Sequence, residues 1–329
     1  MKLWRVLLVL LLLLCGGLAG GIYWWLNRPL PLAADTVETS IEFGTSPRDI
    51  AMQWVQAGVQ SSPILLYEWF RWSGESRKIR AGSYEIGRNT TPIALLNKMV
   101  RGDETLAVVR FTEGWTFRQV RLELAKADSL KPTTTAMSDA EIMQAIGAPG
   151  VPPEGRFFPD TYAYSKGSAD LAVLARAYRA MQTRLQGAWA ERTPDTPLKS
   201  VDEALTLASI VEKETGQSAD RGRVAGVFVN RLRVGMPLQT DPSVIYGLGA
   251  SFDGNLRKRD LQADTPYNTY TRAGLPPTPI AMPGKHSLLA AVRPEATKAL
   301  YFVSRGDGSS QFSETLAEHN RAVNRYQRK

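Results

Sequence analysis

Two carboxyls stand close together in Glu212-Lys213-Glu214, at the end of a segment that carries Ala204, Leu207, Ile210 and Val211. At about 100° per helical residue these four apolar positions share one side, and Glu214 falls within the same stripe. Glu212 points elsewhere, nearer the Leu205 edge. A carboxyl on a buried face resists ionisation, because desolvation penalises the charged form, and such a group serves as a general acid near neutral pH. Glu214 fits that role better than Glu212. The same residue also admits a structural reading, a buried glutamate paired with Arg221 or Arg231.

Downstream, polar groups cluster on stiff backbone. Gly235-Met236-Pro237-Leu238-Gln239-Thr240-Asp241-Pro242, Tyr267-Asn268-Thr269-Tyr270 and Gly274-Leu275-Pro276-Pro277-Thr278-Pro279-Ile280 are rich in amides, hydroxyls and aromatic rings. Amides and hydroxyls bond sugar hydroxyls and acetamido groups, while aromatic faces cover pyranose rings. Glu154-Gly155-Arg156-Phe157-Phe158-Pro159-Asp160-Thr161-Tyr162 has a composition suited to a sugar-contacting loop, and equally to a packed loop beneath a helix. Other chemistries lack support. Two histidines, His286 and His319, and a single cysteine, Cys15, leave little for a zinc site. There is no nucleophile-elbow Gly-x-Ser-x-Gly, no phosphate-binding Gly-x-x-x-x-Gly-Lys-Ser/Thr and no complete dinucleotide fingerprint. Carboxylate chemistry without metal or cofactor remains.

The elements that must position these groups begin with the helix Val201–Glu214, where Ser200 is the N-cap and Glu203 completes a capping box. Further helices are expected at Leu171–Gln186 and Val224–Leu232. The N-terminal half alternates short strands and helices: a strand near Val37–Phe43, a helix opened by Ser46-Pro47 and stopped by Gly58, a strand at Gly82–Ile86, and a helix from Thr91-Pro92 to Gly102. Ahead of them Lys2 and Arg5 precede an apolar run from Val6 to Leu26. As a helix at about 1.5 Å per residue this run covers roughly 30 Å, the thickness of a hydrocarbon core. It is long for a signal sequence and is followed by no convincing cleavage site, so an anchor with a cytoplasmic N-terminus is expected. The chain is thus expected to be α+β: residues 1–5 cytoplasmic, 6–26 transmembrane, 27–35 a proline-containing linker, 36–105 a small domain similar to LysM modules, and 106–329 a larger catalytic domain. Forty Lys and Arg against 32 Asp and Glu give a formal charge of +8, which favours an anionic partner such as murein, lipid headgroups or nucleic acid, and charge alone does not choose among them. The cations form no basic block, which suits a merely solvated surface as well as a binding one; taken with the apolar N-terminal run and the polar strings, the expected partner is not nucleic acid.

From Ala208-Ser209-Ile210-Val211-Glu212-Lys213-Glu214-Thr215 through the polar strings to His319-Asn320, the chain resembles the MltG/YceG-like family of endolytic murein transglycosylases. The resemblance covers effectively the whole chain, including the anchor and the LysM-like region. It implies that the second glutamate of Glu212-Lys213-Glu214 is catalytic. It also implies peptidoglycan strands as substrate, partners among murein-synthesis enzymes such as penicillin-binding proteins, and a role in terminating nascent strands. In such a reaction Glu214 protonates the bond between N-acetylmuramic acid and N-acetylglucosamine, then deprotonates the muramoyl C6 hydroxyl, which attacks C1 and leaves a 1,6-anhydro end. Thr215 offers a hydroxyl to orient the acid; Gln239, Tyr267, Asn268 and Tyr270 are the expected sugar contacts. Two alternatives remain open: a muramidase in which Asp241 is the second carboxylate beside Glu214, and a murein-binding scaffold without catalysis; Glu212, like Asp241, is a candidate for a second catalytic or a structural carboxylate.

Overall fold

The computed structural model describes residues 2–215 and 217–327. Met1, Gly216, Arg328 and Lys329 lie outside the described residues, as do the side chains of Lys2 and Arg5, on which the expected cytoplasmic N-terminus rests. Helices and strands mix in an α+β chain that divides into two compact units, Met1–Ala107 with Ala163–Ser168, and Val108–Tyr162 with Ala169–Lys329.

In the first unit α1 (Lys2–Asn27) is long and apolar enough to cross a membrane, and its apolar surface is uncovered, which is compatible with a single-pass anchor. The prolines that follow carry the chain onto the unit: Leu30 N–H donates to the Thr90 carbonyl at 2.8 Å, and Leu32 bridges Val59. β1 (Thr36–Ile41) and β2 (Gly82–Gly87) pair antiparallel, from Thr36 opposite Gly87 to Ile41 opposite Gly82. Side chains alternate across a strand, so Val37 and Ile41, with Tyr84 and Ile86, reach one core. α2 (Pro47–Ala57) opens where the Ser46 hydroxyl accepts the Asp49 N–H and closes at Gly58, whose φ of 124° suits glycine. α3 (Pro63–Trp72), absent from the expectations above, packs on α2 and buries Leu66 and Phe70. α4 (Pro92–Arg101) runs from the Thr91 cap to Gly102. Trp54 is wholly buried at the centre, and its indole N–H donates to Met99 Sδ at 3.2 Å.

β3 (Leu106–Arg110) and β4 (Thr161–Ser165) pair, and the division between the units falls within both strands. The second unit is mainly helical, with α5 (Phe117–Lys126), α6 (Asp139–Ala145), α7 (Asp170–Ala190), α8 (Val201–Glu214), α9 (Arg221–Arg233), α10 (Asp241–Leu248), α11 (Lys258–Gln262) and α12 (Lys285–Val292). An antiparallel hairpin of β5 (Tyr301–Ser304) and β6 (Ser310–Ser313) and a last helix α13 (Leu316–Tyr326) close it. α8 is the axis of this unit, in contact with α7, α9, α10 and α12. Every residue from Ala204 to Val211 is buried, so the expected single apolar stripe is corrected: this helix is enclosed on all sides. Alanine and serine at 204, 208 and 209 let neighbouring helices approach at interior packing density. The expected capping box is also half-formed. Ser200 accepts the Glu203 N–H at 3.1 Å, but the Glu203 carboxylate accepts from Lys199 N–H rather than from Ser200.

Candidate active site

Enclosure carries α8 to its C-terminus, where Glu214 is half-buried and Thr215 turns to extended backbone. The Thr240 hydroxyl, at the N-cap of α10, donates to Glu214 Oε1 at 2.5 Å. Burial raises the Glu214 pKa above the ordinary carboxyl range; the Thr240 bond opposes this, the Asp241 charge adds to it, and Arg231 opposes it more weakly. Burial prevails, leaving an acid that retains its proton to higher pH than an exposed glutamate. The arginine-paired reading of Glu214 does not describe this geometry. Arg231 is buried, but its guanidinium donates to the carbonyls of Leu300 and Leu238, each at 2.7 Å, and among the described residues it forms no ion pair with Glu214.

Thr240 is held as firmly as the acid it touches. Its N–H donates to Thr269 Oγ1 at 3.0 Å, and its carbonyl accepts from Ser243 Oγ at 2.9 Å, all three residues being buried. Asp241 opens α10 on the exposed side and accepts the Tyr270 hydroxyl at 2.5 Å. Burial and the Asp241 charge push the Tyr270 phenol up, so it remains a donor through neutral pH. Gln239 is exposed between buried Leu238 and Thr240 and adopts φ 51°, a left-handed conformation uncommon outside glycine. Tyr267 is half-buried, with its hydroxyl 2.8 Å from Thr278 Oγ1. Asn268 departs from the expectation of a sugar contact. It is 1% exposed, its amide donates to the carbonyls of Asp260, Leu261 and Ala263, and its carbonyl accepts from Tyr270 N–H, so it ties the loop together. The Thr215 hydroxyl donates to Val211 O at 2.6 Å within its own helix, and Thr240 supplies the bond to the acid that was sought from Thr215. Glu212 accepts the N–H of Gly284, the N-cap of α12, at 2.9 Å. Its carboxylate holds backbone at a helix N-terminus, where negative charge is favoured.

A further carboxyl was missed as a titrating group. Glu154 is 6% exposed, accepts Phe117 N–H through both oxygens at 3.0 and 3.2 Å, and accepts the Tyr246 hydroxyl at 3.1 Å. Tyr246 lies on α10, and its ring meets Tyr267 edge-on at 5.0 Å. The neighbouring Arg156 pairs with Asp202 in the first turn of α8 at 2.7 Å. Burial pushes Glu154 up to about 7 against the opposing hydrogen bonds. Its contribution to stability is therefore full below the unfolded-chain value and lost as pH rises through about 7. The loss is on the order of 3 kcal/mol. Urea unfolding between about pH 4 and about pH 8 should show this decline in the wild type, and the Glu154→Gln variant should lack that part of it. The same slope in both proteins would place the titrating proton elsewhere.

The second unit thus presents a carboxyl with a raised pKa at a helix end, held by a buried hydroxyl and bordered by the exposed Gln239 amide and Asp241 carboxylate and the half-buried Tyr267 and Tyr270 phenols. The YceG-like family model matches residues 39–325, and the chain belongs to that family. It is 32% identical to the endolytic murein transglycosylase of Bacillus subtilis over 88% of this chain and 85% of the relative. It is 26% identical to the enzyme of the same name from Streptococcus pneumoniae, over 96% of this chain and 63% of the relative. The crystal structure of a YceG-like protein from Listeria monocytogenes superposes with a TM-score of 0.55 at 28% identity, covering 87% of this chain and 98% of that one.

Proposed function

We propose that this protein is an endolytic murein transglycosylase that cleaves the bond between N-acetylmuramic acid and N-acetylglucosamine within peptidoglycan strands and leaves 1,6-anhydro ends. The observation that carries the chemistry is Glu214, a carboxyl whose pKa burial raises and whose Oε1 is fixed by Thr240. Protonated Glu214 donates to the glycosidic oxygen as the bond to C1 breaks. The oxocarbenium-like charge that develops is accepted by the anionic border at Asp241. Ionised Glu214, steadied by the Thr240 hydroxyl, then takes the proton of the muramoyl C6 hydroxyl as that oxygen closes on C1. The carboxyl returns to its starting state and no water is consumed. Gln239, Tyr267 and Tyr270 border the sugar, with Gln239 presented outward by its left-handed backbone.

The Asp241 charge beside Glu214 also supports a second reading, a hydrolase in which Asp241 activates water. Digestion of purified glycan strands followed by mass spectrometry separates the two. Transglycosylation yields ends of unchanged total mass, whereas hydrolysis adds one water for each cut, and uptake of labelled oxygen from solvent would overturn the first reading. In this proposal α1 anchors the chain with both units outside the cytoplasmic membrane, the first unit binds glycan as a LysM-like module, and synthases such as penicillin-binding proteins supply the nascent strand.

A further inference from the structure

α3 has two faces. Leu66 and Phe70 enter the core of the first unit, flanked by half-buried Tyr67 and Trp69, while Ile64, Leu65 and Trp72 are 69%, 52% and 79% exposed on the other side. At about 100° per residue these three share their outward arc with Glu68 and Arg71. The two charges are neutralised within the helix: Arg71 pairs with Glu68, which also accepts the Trp72 indole N–H at 3.0 Å. An apolar arc with a satisfied indole and a paired charge is the composition of a helix that lies in the interfacial layer of a bilayer.

The placement of α3 within its unit points to the same surface. Just before the helix, Gln60 N–H donates to Pro31 O at 2.8 Å and Val59 bridges Leu32, both only a few residues beyond the end of α1. Towards its other end, the Trp69 indole donates to Pro92 O at 3.1 Å, and Pro92 lies two residues after Thr90, whose carbonyl accepts Leu30 N–H. The segment leading into α3 and Trp69 towards its other end are thereby tied to backbone that adjoins, or bonds to, the stretch just after α1. α1 itself carries exposed Tyr23 and Trp24 near its C-terminal end, with Arg28 stacked over Trp24 at 4.8 Å. Aromatic rings and a cation at a helix end mark the headgroup region.

We propose that the outward face of α3 rests in the headgroup layer of the membrane that holds α1, so that the first unit is seated on the lipid surface rather than suspended from a tether. The inference rests on reading α1 as an anchor. Its partner is the bilayer interface, recognised through Ile64, Leu65 and Trp72.

The test uses the full chain with Cys15→Ser, reconstituted in phosphatidylethanolamine–phosphatidylglycerol vesicles, and an environment-sensitive fluorophore on Leu65→Cys, on Ile64→Cys, or on Phe43→Cys as the distal control. Phe43 is 99% exposed in the turn after β1, about 20 Å along that strand from its α1-proximal end. With brominated lipids, the labels at 64 and 65 should be quenched several-fold more than the label at 43 and should emit at shorter wavelength. Equal quenching at all three positions in protein that floats with the vesicles would overturn the seating and leave the anchor intact. Protein that fails to float after a salt wash would overturn both. A label at 65 that responds to added glycan fragments but not to brominated lipid would assign this face to sugar instead.

Discussion

Glu214→Gln is expected to lower the rate of anhydro-end formation by on the order of 10² to 10⁴, the loss that follows removal of a general acid/base. Glutamine keeps the size of the side chain and an oxygen to accept the Thr240 hydroxyl, so the fold should be unchanged and the proton alone removed. Glu212→Gln should retain substantial activity, because its contact is the Gly284 N–H, which an amide oxygen also accepts. The pH profile supplies an independent readout. The acid form of Glu214 is the competent one, so activity should fall as pH rises through its raised pKa. Thr240→Val removes a bond that favours the ionised form; the pKa should climb further and the alkaline limb should move to higher pH. An inactive Glu212→Gln protein beside an active Glu214→Gln protein would reverse the roles, and activity in both would remove α8 from the chemistry.

The largest expected effect on stability lies in the other unit. Trp54 is completely buried among Ile50, Leu66, Phe70 and Met99, and truncation to alanine leaves a cavity of nearly the whole indole. Phe and Trp to Ala changes in cores cost about 3–5 kcal/mol, a large fraction of the stability of a small domain. Trp54→Ala also leaves Met99 without its indole donor, a minor loss by comparison. Hydrogen exchange is the suitable measurement, because it reads each unit separately. Amides paired between β1 and β2 should lose protection by on the order of 10² or more, whereas those of α8 should be unchanged, since α8 belongs to a different core. Equal loss of protection in both sets would show that the two cores unfold as one.

Much of the local structure was legible in the sequence. The apolar run that became α1, the caps at Ser46 and Thr91, the stops at Gly58 and Gly102, and the limits of α8 all depend on interactions within about four residues. α3 was missed because its two faces are both apolar, and a helix patterned that way shows no period. α10 was missed because its N-cap and first residues lie inside a proline-bearing polar string that reads as a loop.

What the sequence determined by itself was the carboxyl, its position at the end of a helix, and the family whose strings surround it. What only the tertiary structure decided was the state of that carboxyl and the company it keeps. Thr240, the donor to Glu214, lies 26 residues away, and Tyr246, the donor to Glu154, lies 92 residues from its partner. Asn268 and Tyr270 have the same polar promise in sequence, yet one turns inward to three carbonyls and the other reaches Asp241. The reason is physical: helix caps and periods arise from neighbours along the chain, whereas desolvation depends on every atom that displaces water around a group, and those atoms arrive from distant segments only when the core closes.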